Sequence, residues 1–398
     1  MNFRTPAPAC SLVLMLQPGL AFISSRAIPI PKLSLNPGTT NSLQSGFSVQ
    51  SRTTPIDISM LRTKAEAGDA TAQFELGKAY ESGNGIGAND ALAAAWFRKA
   101  AEQDYARAAN SLGLMYSLGR GVEKSKEQAV LWYRKAARLG NAQAMFNLGA
   151  SYYNGDNINE NQTRAYAWFL LADDGGDVSA RDAVRRSATE MGRLATGDAI
   201  LEIGRMYEKG EELPKDGAAE ARWYRKSANE DVRVALKLAS LLIDGRSVKQ
   251  DYGEAMQVCQ EATKKNYGPA EFCVGYLHQH GFGVAIDSKE AAKWYDRASN
   301  HADGPAQFAL AQMYLKGEGV GVDRTEAYYL LFRAYNDHIL EAKPQAHVLR
   351  QEMSKEELKS LDKKLRQIRL DPQKVYAFID DPNPSGKFPQ VFPPVTLH

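Results

Sequence analysis

The residues best equipped for chemistry lie between positions 259 and 301. His278 and His280 flank Gln279, and His301 follows about twenty residues later. Imidazole is the commonest protein metal ligand, so a metal site is one reading. An i, i+2 pair on a helix points to different faces, however, and that spacing favours a packing role in which His278 sits inside and hydrogen-bonds. Cys259 and Cys273 are equidistant from a turn around Asn266, on segments expected to form antiparallel helices. In an oxidising compartment they could bond, or each could be a small buried hydrophobe. Two glycine-rich stretches, Gly83-Asn-Gly85 and Gly317-Glu-Gly319, suggest phosphate loops. A phosphate loop follows a strand, whereas these follow helical patterns and read as turns. The basic pairs Arg98-Lys99, Arg134-Lys135 and Arg225-Lys226 read as a solvated outer face rather than an anion site. No GxSxG, Walker or HExxH context occurs, and no catalytic residue, metal or cofactor is implied.

The elements that carry these residues repeat. Tyr105 to Gly140 contains Leu112-Gly113, Tyr116, Gly119, Trp132-Tyr133 and Ala136-Ala137. The same skeleton stands 36 residues upstream (Leu76-Gly77, Trp96-Phe97) and 36 downstream (Leu148-Gly149, Trp168-Phe169). The leucine position recurs at Leu76, Leu112, Leu148, Ile203, Leu238, Val274 and Leu310. The tryptophan position recurs at Trp96, Trp132, Trp168, Trp223, Val258, Trp294 and Leu330, with the same spacings of 36, 36, 55, 35, 36 and 36. Self-similarity at such a period signals stacked repeats. Apolar residues at helical spacing around the leucine build a first helix, a loop glycine ends it, and the aromatic pair builds a facing second helix. So short a hairpin cannot bury its faces alone, and each unit must lean on its neighbours.

Composition sets outer bounds. The 398 residues carry a net charge of +2, which argues against the clustered basic surface of a nucleic-acid binder. No run of about 18–20 apolar residues suggests a transmembrane helix. The first 56 residues contain no Asp or Glu. Arg4 precedes the apolar runs Leu12–Leu16 and Leu20–Ile23, and Ser25-Arg26-Ala27 gives a small-x-small cleavage pattern. Residues 1–27 therefore read as a secretory signal peptide. Gln17-Pro18 interrupts the apolar centre, and a transit peptide or plain tail stays open. Residues 28–58 read as a flexible Pro/Ser-rich linker.

The pattern Ala-x-x-x-Leu-Gly-x-x-Tyr-x-x-Gly-x-Gly-Val, followed by Ala-x-x-Trp-Tyr-Arg-Lys-Ala-Ala, resembles the Sel-one-like repeat family, an offshoot of tetratricopeptide-like hairpins. The resemblance spans about residues 65–340. It implies an all-α, right-handed α/α superhelical solenoid of about seven helix-turn-helix repeats. It also implies a non-enzymatic adaptor or scaffold, often in envelope or secretory-route complexes. A few relatives are credited with hydrolysis of cell-wall-related compounds, which is the alternative. A cytosolic signalling adaptor follows if the leader is not cleaved. Some exported relatives staple every repeat with a cysteine pair, whereas here the pair occurs once. Unit five departs most from the pattern, with Ala239, Leu242 and Val258-Cys259, and is expected to pack more loosely.

Val184 lies 36 after Leu148, so residues 178–191 read as one extra half-repeat helix. Leu170-Leu171, apolar where other units carry Arg-Lys, needs a cover, and this helix is the nearest. The chain accordingly divides into residues 59–192 (repeats one to three plus that helix) and 193–340 (repeats four to seven), with a joint near residue 190. Ser354-Lys-Glu-Glu357 is a capping box before Leu358, Leu361, Leu365 and Ile368, so 341–370 reads as a helical C-terminal cap. The Pro-rich tail 371–398 either lies against the array or binds a partner. First-helix positions two and five beyond the leucine vary freely, which suggests solvent-facing sites for a protein or peptide partner. They include Leu114, Tyr153, Arg205, Tyr276 and Leu315. Packing between repeats is the competing role for them.

Overall fold

The computed structural model describes residues 57–156, 159–192 and 194–367. The leader, most of the linker and the proline-rich tail lie outside the described residues. Residues 57 and 58 of the expected linker instead cap and open a helix.

Among the described residues the regular elements are helices, and the fold is an all-α helical repeat. A lone helix, α1 (Ile58–Glu66), precedes three hairpins: α2 (Ala70–Ser82) with α3 (Asp90–Glu102), α4 (Ala106–Leu118) with α5 (Lys126–Arg138), and α6 (Ala142–Asn154) with α7 (Gln162–Asp174). The extra helix α8 (Val178–Met191) follows. Four further hairpins are α9 (Ala195–Lys209) with α10 (Gly217–Ser227), α11 (Val232–Asp244) with α12 (Tyr252–Thr263), α13 (Gly268–His280) with α14 (Ser288–Asn300), and α15 (Gly304–Lys316) with α16 (Arg324–Asn336). The cap is two helices, α17 (Ala342–Glu352) and α18 (Lys355–Gln367), rather than one. The chain forms two compact units, which take in described residues 57–223 and 224–367, and residues 190–197 lie inside the first.

Local sequence starts and stops these helices. Asp69, Asn89, Ser125, Asn141 and Asn161 each accept a backbone N–H from the first turn of the helix they cap. First helices end on glycine, as at Gly119 with φ 72°, a left-handed conformation that a side chain would strain. Ser354 and Glu357 close the expected capping box by exchanging backbone bonds of 2.7 and 3.2 Å.

The leucine positions form the core, each at most 2% exposed. Beside them lies a steric lock. A Cβ added at Gly77, Gly113, Gly149 or Gly275 would come within 2.7 Å of the ring of Phe97, Tyr133, Phe169 or Tyr295 respectively. The second ring of the aromatic pair therefore lies flat against bare backbone. Two units break this rule at both positions together: Ala239 faces a unit with Cys259, and Ala311 a unit with Leu331. The smaller partner makes room for the extra methyl. In unit five Leu238, Ala239, Leu242 and Cys259 are all buried, while α11 and α12 touch less extensively than α2–α3, α4–α5, α6–α7, α13–α14 and α15–α16, as the departures from the pattern led one to expect.

Two helices stand outside the seven hairpins and their cap: α1, which the sequence had not suggested, and α8, which it had. Arg62 lies 36 residues before Arg98, and donates to Tyr80 Oη (3.2 Å) as Arg98 donates to Tyr116 Oη. Helix α1 thus stands where the second helix of a preceding unit would. Helix α8 packs on α7, as Leu170-Leu171 required, and Leu171 is buried. Helix α9 packs on α7 as well.

Candidate functional site

Four recurring contacts, two between successive units and two within each, show which side chains the scaffold consumes. First, the arginine after the aromatic pair reaches the next unit's first-helix tyrosine, as Arg134 Nη2 does to Tyr152 Oη at 3.0 Å. The basic pairs lie on an exposed or half-buried face, as expected, and their arginines also reach the next unit. Lys99 lies over the Trp96 ring at 4.0 Å and Lys135 pairs with Asp104 at 2.9 Å. Second, the residue after the loop glycine meets the residue opening the previous unit's second helix. Arg120 grips Asp90 at 2.8 Å, and Asp156 pairs with Lys126 with the charges exchanged. Third, the residue closing a second helix bridges back to the start of its own first helix, as Gln103 does to Gln73 (2.8 Å) and Asp337 to Gln307 (2.9 Å). Fourth, Gly and ring interlock within a hairpin.

The histidines separate into these roles. His301 Nδ1 lies 2.7 Å from Glu271 Oε2, occupying the third contact, and Arg297 holds the other oxygen at 2.8 Å. Glu271 is fully buried, and its bonds to the Arg297 guanidinium and the His301 ring offset its desolvation. His278 takes the interior position usual for tyrosine, but its Nδ1 is buried without a hydrogen-bond partner among the described residues, contrary to the expected bond. His280 is exposed, and its Nδ1 meets Tyr276 O at 2.9 Å. Among the described residues no group of three or more His, Cys, Asp or Glu is placed to hold a metal ion. Cys259 and Cys273 are bonded, joining α12 to α13.

The five candidate partner residues have distinct surroundings. Leu114 is half-buried on α4. Tyr153 is 8% exposed beneath α8, where its hydroxyl donates to Glu190 at 3.1 Å. Burial, with Glu190 beside it, pushes the Tyr153 hydroxyl up to about 12. Arg205 is exposed and pairs with Glu202, which also accepts from Arg164 Nε at 2.7 Å. Leu315 packs against the core of the last units. Tyr276 belongs to a surface cluster of rings: its centroid is 4.2 Å from His280 and 6.0 Å from Phe282, and Phe282 stacks on Tyr252 at 4.4 Å with planes 2° apart.

Tyr252 and Phe282 were missed, although the sequence contains the signal. The residue after the loop glycine is Asn84, Arg120, Asp156, Glu211, Arg246 and Glu318 in six units, and Phe282 in the seventh. Tyr252 opens its second helix where Asp90, Lys126, Gln162, Ser288 and Arg324 open others. One joint has exchanged an ion pair for an aromatic stack.

Comparison with known proteins accords with this architecture. The Sel1 repeat model matches residues 70–105, 106–141, 142–177, 197–232, 233–267, 269–303 and 304–337. Two curated relatives from Arabidopsis thaliana, the ERAD-associated E3 ubiquitin-protein ligase components HRD3A and HRD3B, are each 30% identical over 78 residues. That alignment takes in 20% of this chain and only 12% and 13% of theirs. Among solved structures, a protective antigen of uropathogenic Escherichia coli strains displaying an SLR fold is 30% identical, with coverage of 81% of this chain and 74% of that one and a TM-score of 0.39. A Sel1 repeat protein from Oxalobacter formigenes is 24% identical, with coverage of 72% and 78% and a TM-score of 0.35.

Proposed function

The chain belongs to the Sel1 repeat family, and from that premise we propose that it is a non-enzymatic scaffold that takes a protein or peptide partner on its row of first helices. One observation carries the reading. The residues that build the core of each unit recur, whereas the first-helix positions around Leu114, Arg205, Tyr276 and Leu315 differ from unit to unit. Half-buried apolar groups at such positions supply the area that dominates interface energy. Helices α11, α13 and α15 touch in succession and form one continuous row within residues 224–367. The plant relatives are named as components of a larger ligase assembly, and a component role of that general kind is what we carry over. Cross-linking should place a captured partner on α4 within residues 57–223 or on α13 within residues 224–367, and Leu114→Ala in the first case and Tyr276→Ala in the second should lose it. Retention of the same partner by both folded variants would overturn the assignment.

We further propose that the scaffold works in an exported complex. The acid-free leader and the Cys259–Cys273 bond support this, because such bonds persist in oxidising compartments. The mature protein should begin near Ile28 and show no free thiol. A mature chain that still begins at Met1, with three titratable thiols, would remove the exported part of the reading.

A further inference from the structure

The joint between α12 and α13 departs from the others in two ways at once. Inside, Cys259–Cys273 stands where an aromatic ring would lie. Outside, Tyr252, Phe282, Tyr276 and His280 form one aromatic patch where equivalent joints carry charge. The scaffold does not require that patch, since Arg120–Asp90 and Asp156–Lys126 close the same contact with ions. His280 is exposed and the three other rings are half-buried, so the patch is partly open to solvent. Grouped aromatic rings on a surface are the receptors of choice for extended proline-rich segments. Such segments need no regular hydrogen bonding to a sheet and lose little entropy on docking.

The chain itself contains such a segment. Thirty-one residues follow Gln367, and they include Pro372, Pro382, Pro384, Pro389, Pro393 and Pro394. Phe388 and Phe392 are interleaved with the prolines as apolar anchors. An extended chain of that length reaches roughly 95 Å at about 3.1 Å per residue. Helix α18 packs on α16, and α13 lies three helices before α16 in a succession of packed neighbours about 10 Å apart. The reach therefore exceeds the need by a wide margin. Tethering also gives the segment an effective concentration on the order of millimolar, enough to hold a weak contact closed.

We propose that residues 371–398 dock on the Tyr252–Tyr276–His280–Phe282 patch. This contact does not depend on any external partner. A partner that uses Tyr276 must displace the tail, which makes the tail a built-in competitor for that part of the row.

Hydrogen exchange on the full chain tests this. Tail amides such as those of Phe388, Val391 and Phe392 should exchange at least tenfold more slowly than in the free synthetic peptide 371–398. That protection should vanish in Phe282→Ala and in His280→Asp, the second a change on an exposed ring that leaves the stack in place. In a full chain carrying Phe388→Ser and Phe392→Ser, added wild-type peptide should bind, and it should bind the unaltered chain at least tenfold more weakly. Three results would each overturn the proposal: tail amides exchanging at free-peptide rates, protection that survives both patch variants, or equal peptide affinity for the two chains. Loss of the tail contact would leave the scaffold reading intact, because that rests on partner capture at α4 as well as α13.

Discussion

Joint α5–α6 in residues 57–223 and joint α12–α13 in residues 224–367 occupy the same place in the repeat and are closed by different means. At the first, Arg134 reaches Tyr152, and the hairpins on either side are locked by Tyr133 on Gly113 and Phe169 on Gly149. At the second, a disulfide and an aromatic stack do the same work, and Ala239 fills the space a glycine would leave. The hairpin that follows shifts again, with Glu271 held buried by Arg297 and His301. The repeat therefore specifies where neighbours must meet and leaves the chemistry of the meeting free. The first region relies on shape together with ion pairs that salt weakens. The second keeps one steric lock, Tyr295 on Gly275, and adds a covalent bond and a buried carboxyl, so its stability should depend on redox state and pH.

The sharpest test removes a shape element. Tyr133→Ala leaves Gly113 facing a void, and should cost about 3–5 kcal/mol in local stability, read as lost exchange protection in α4 and α5. An equal loss in α13 and α14 would show that the regions do not respond separately. Next, reduction of Cys259–Cys273 should cost about 3 kcal/mol for a loop of this length. Protection should fall in α12 and α13 while α4–α7 hold, and uniform destabilisation would break the contrast.

Acidity supplies the third test. Burial pushes the Asp303 carboxyl up to about 6, aided by Asp337 and Glu271 and opposed by the Ala306 N–H that it accepts. The native state thus favours the protonated acid more than the unfolded chain does. That contribution is complete below about pH 4 and is lost as pH rises through about 6, a difference of up to about 3 kcal/mol. Asp303→Asn, which can still cap α15, should flatten this slope in pH-dependent melting of residues 224–367. An unchanged slope would acquit Asp303. The smallest effect concerns the lock itself. Helix propensity alone makes Gly113→Ala stabilising by about 1 kcal/mol, yet contact with Tyr133 should reverse the sign and cost about 1–3 kcal/mol. Ala311→Gly, where Leu331 replaces the ring, should show only the propensity loss of about 1 kcal/mol. Equal and small effects at both positions would dissolve the distinction between the two kinds of hairpin.

Much of this was legible because a repeat lets one copy interpret another. The two rulers located the hairpins, the 55-residue step located α8, and Leu170-Leu171 anticipated its cover. Reading was weaker wherever the informative comparison ran between positions rather than along one. The paired changes Gly to Ala and ring to Cys or Leu were present in the chain, as were the exchanged charges of Arg120–Asp90 and Asp156–Lys126. Nothing in linear order says that residues 30 apart face one another across a joint.

The sequence by itself determined the helical period, the number of hairpins matched by the repeat, the capping box and the places where the pattern lapses, because these follow from local propensity and spacing. Tertiary structure alone decided how the lapses are used. It bonded Cys259 to Cys273, buried Tyr153 under α8, turned the basic pairs into latches and gathered Tyr252 and Phe282 beside Tyr276. Those outcomes depend on which side chains the stacking of units brings within a few ångströms. That is a property of packed neighbours, and no single repeat contains it.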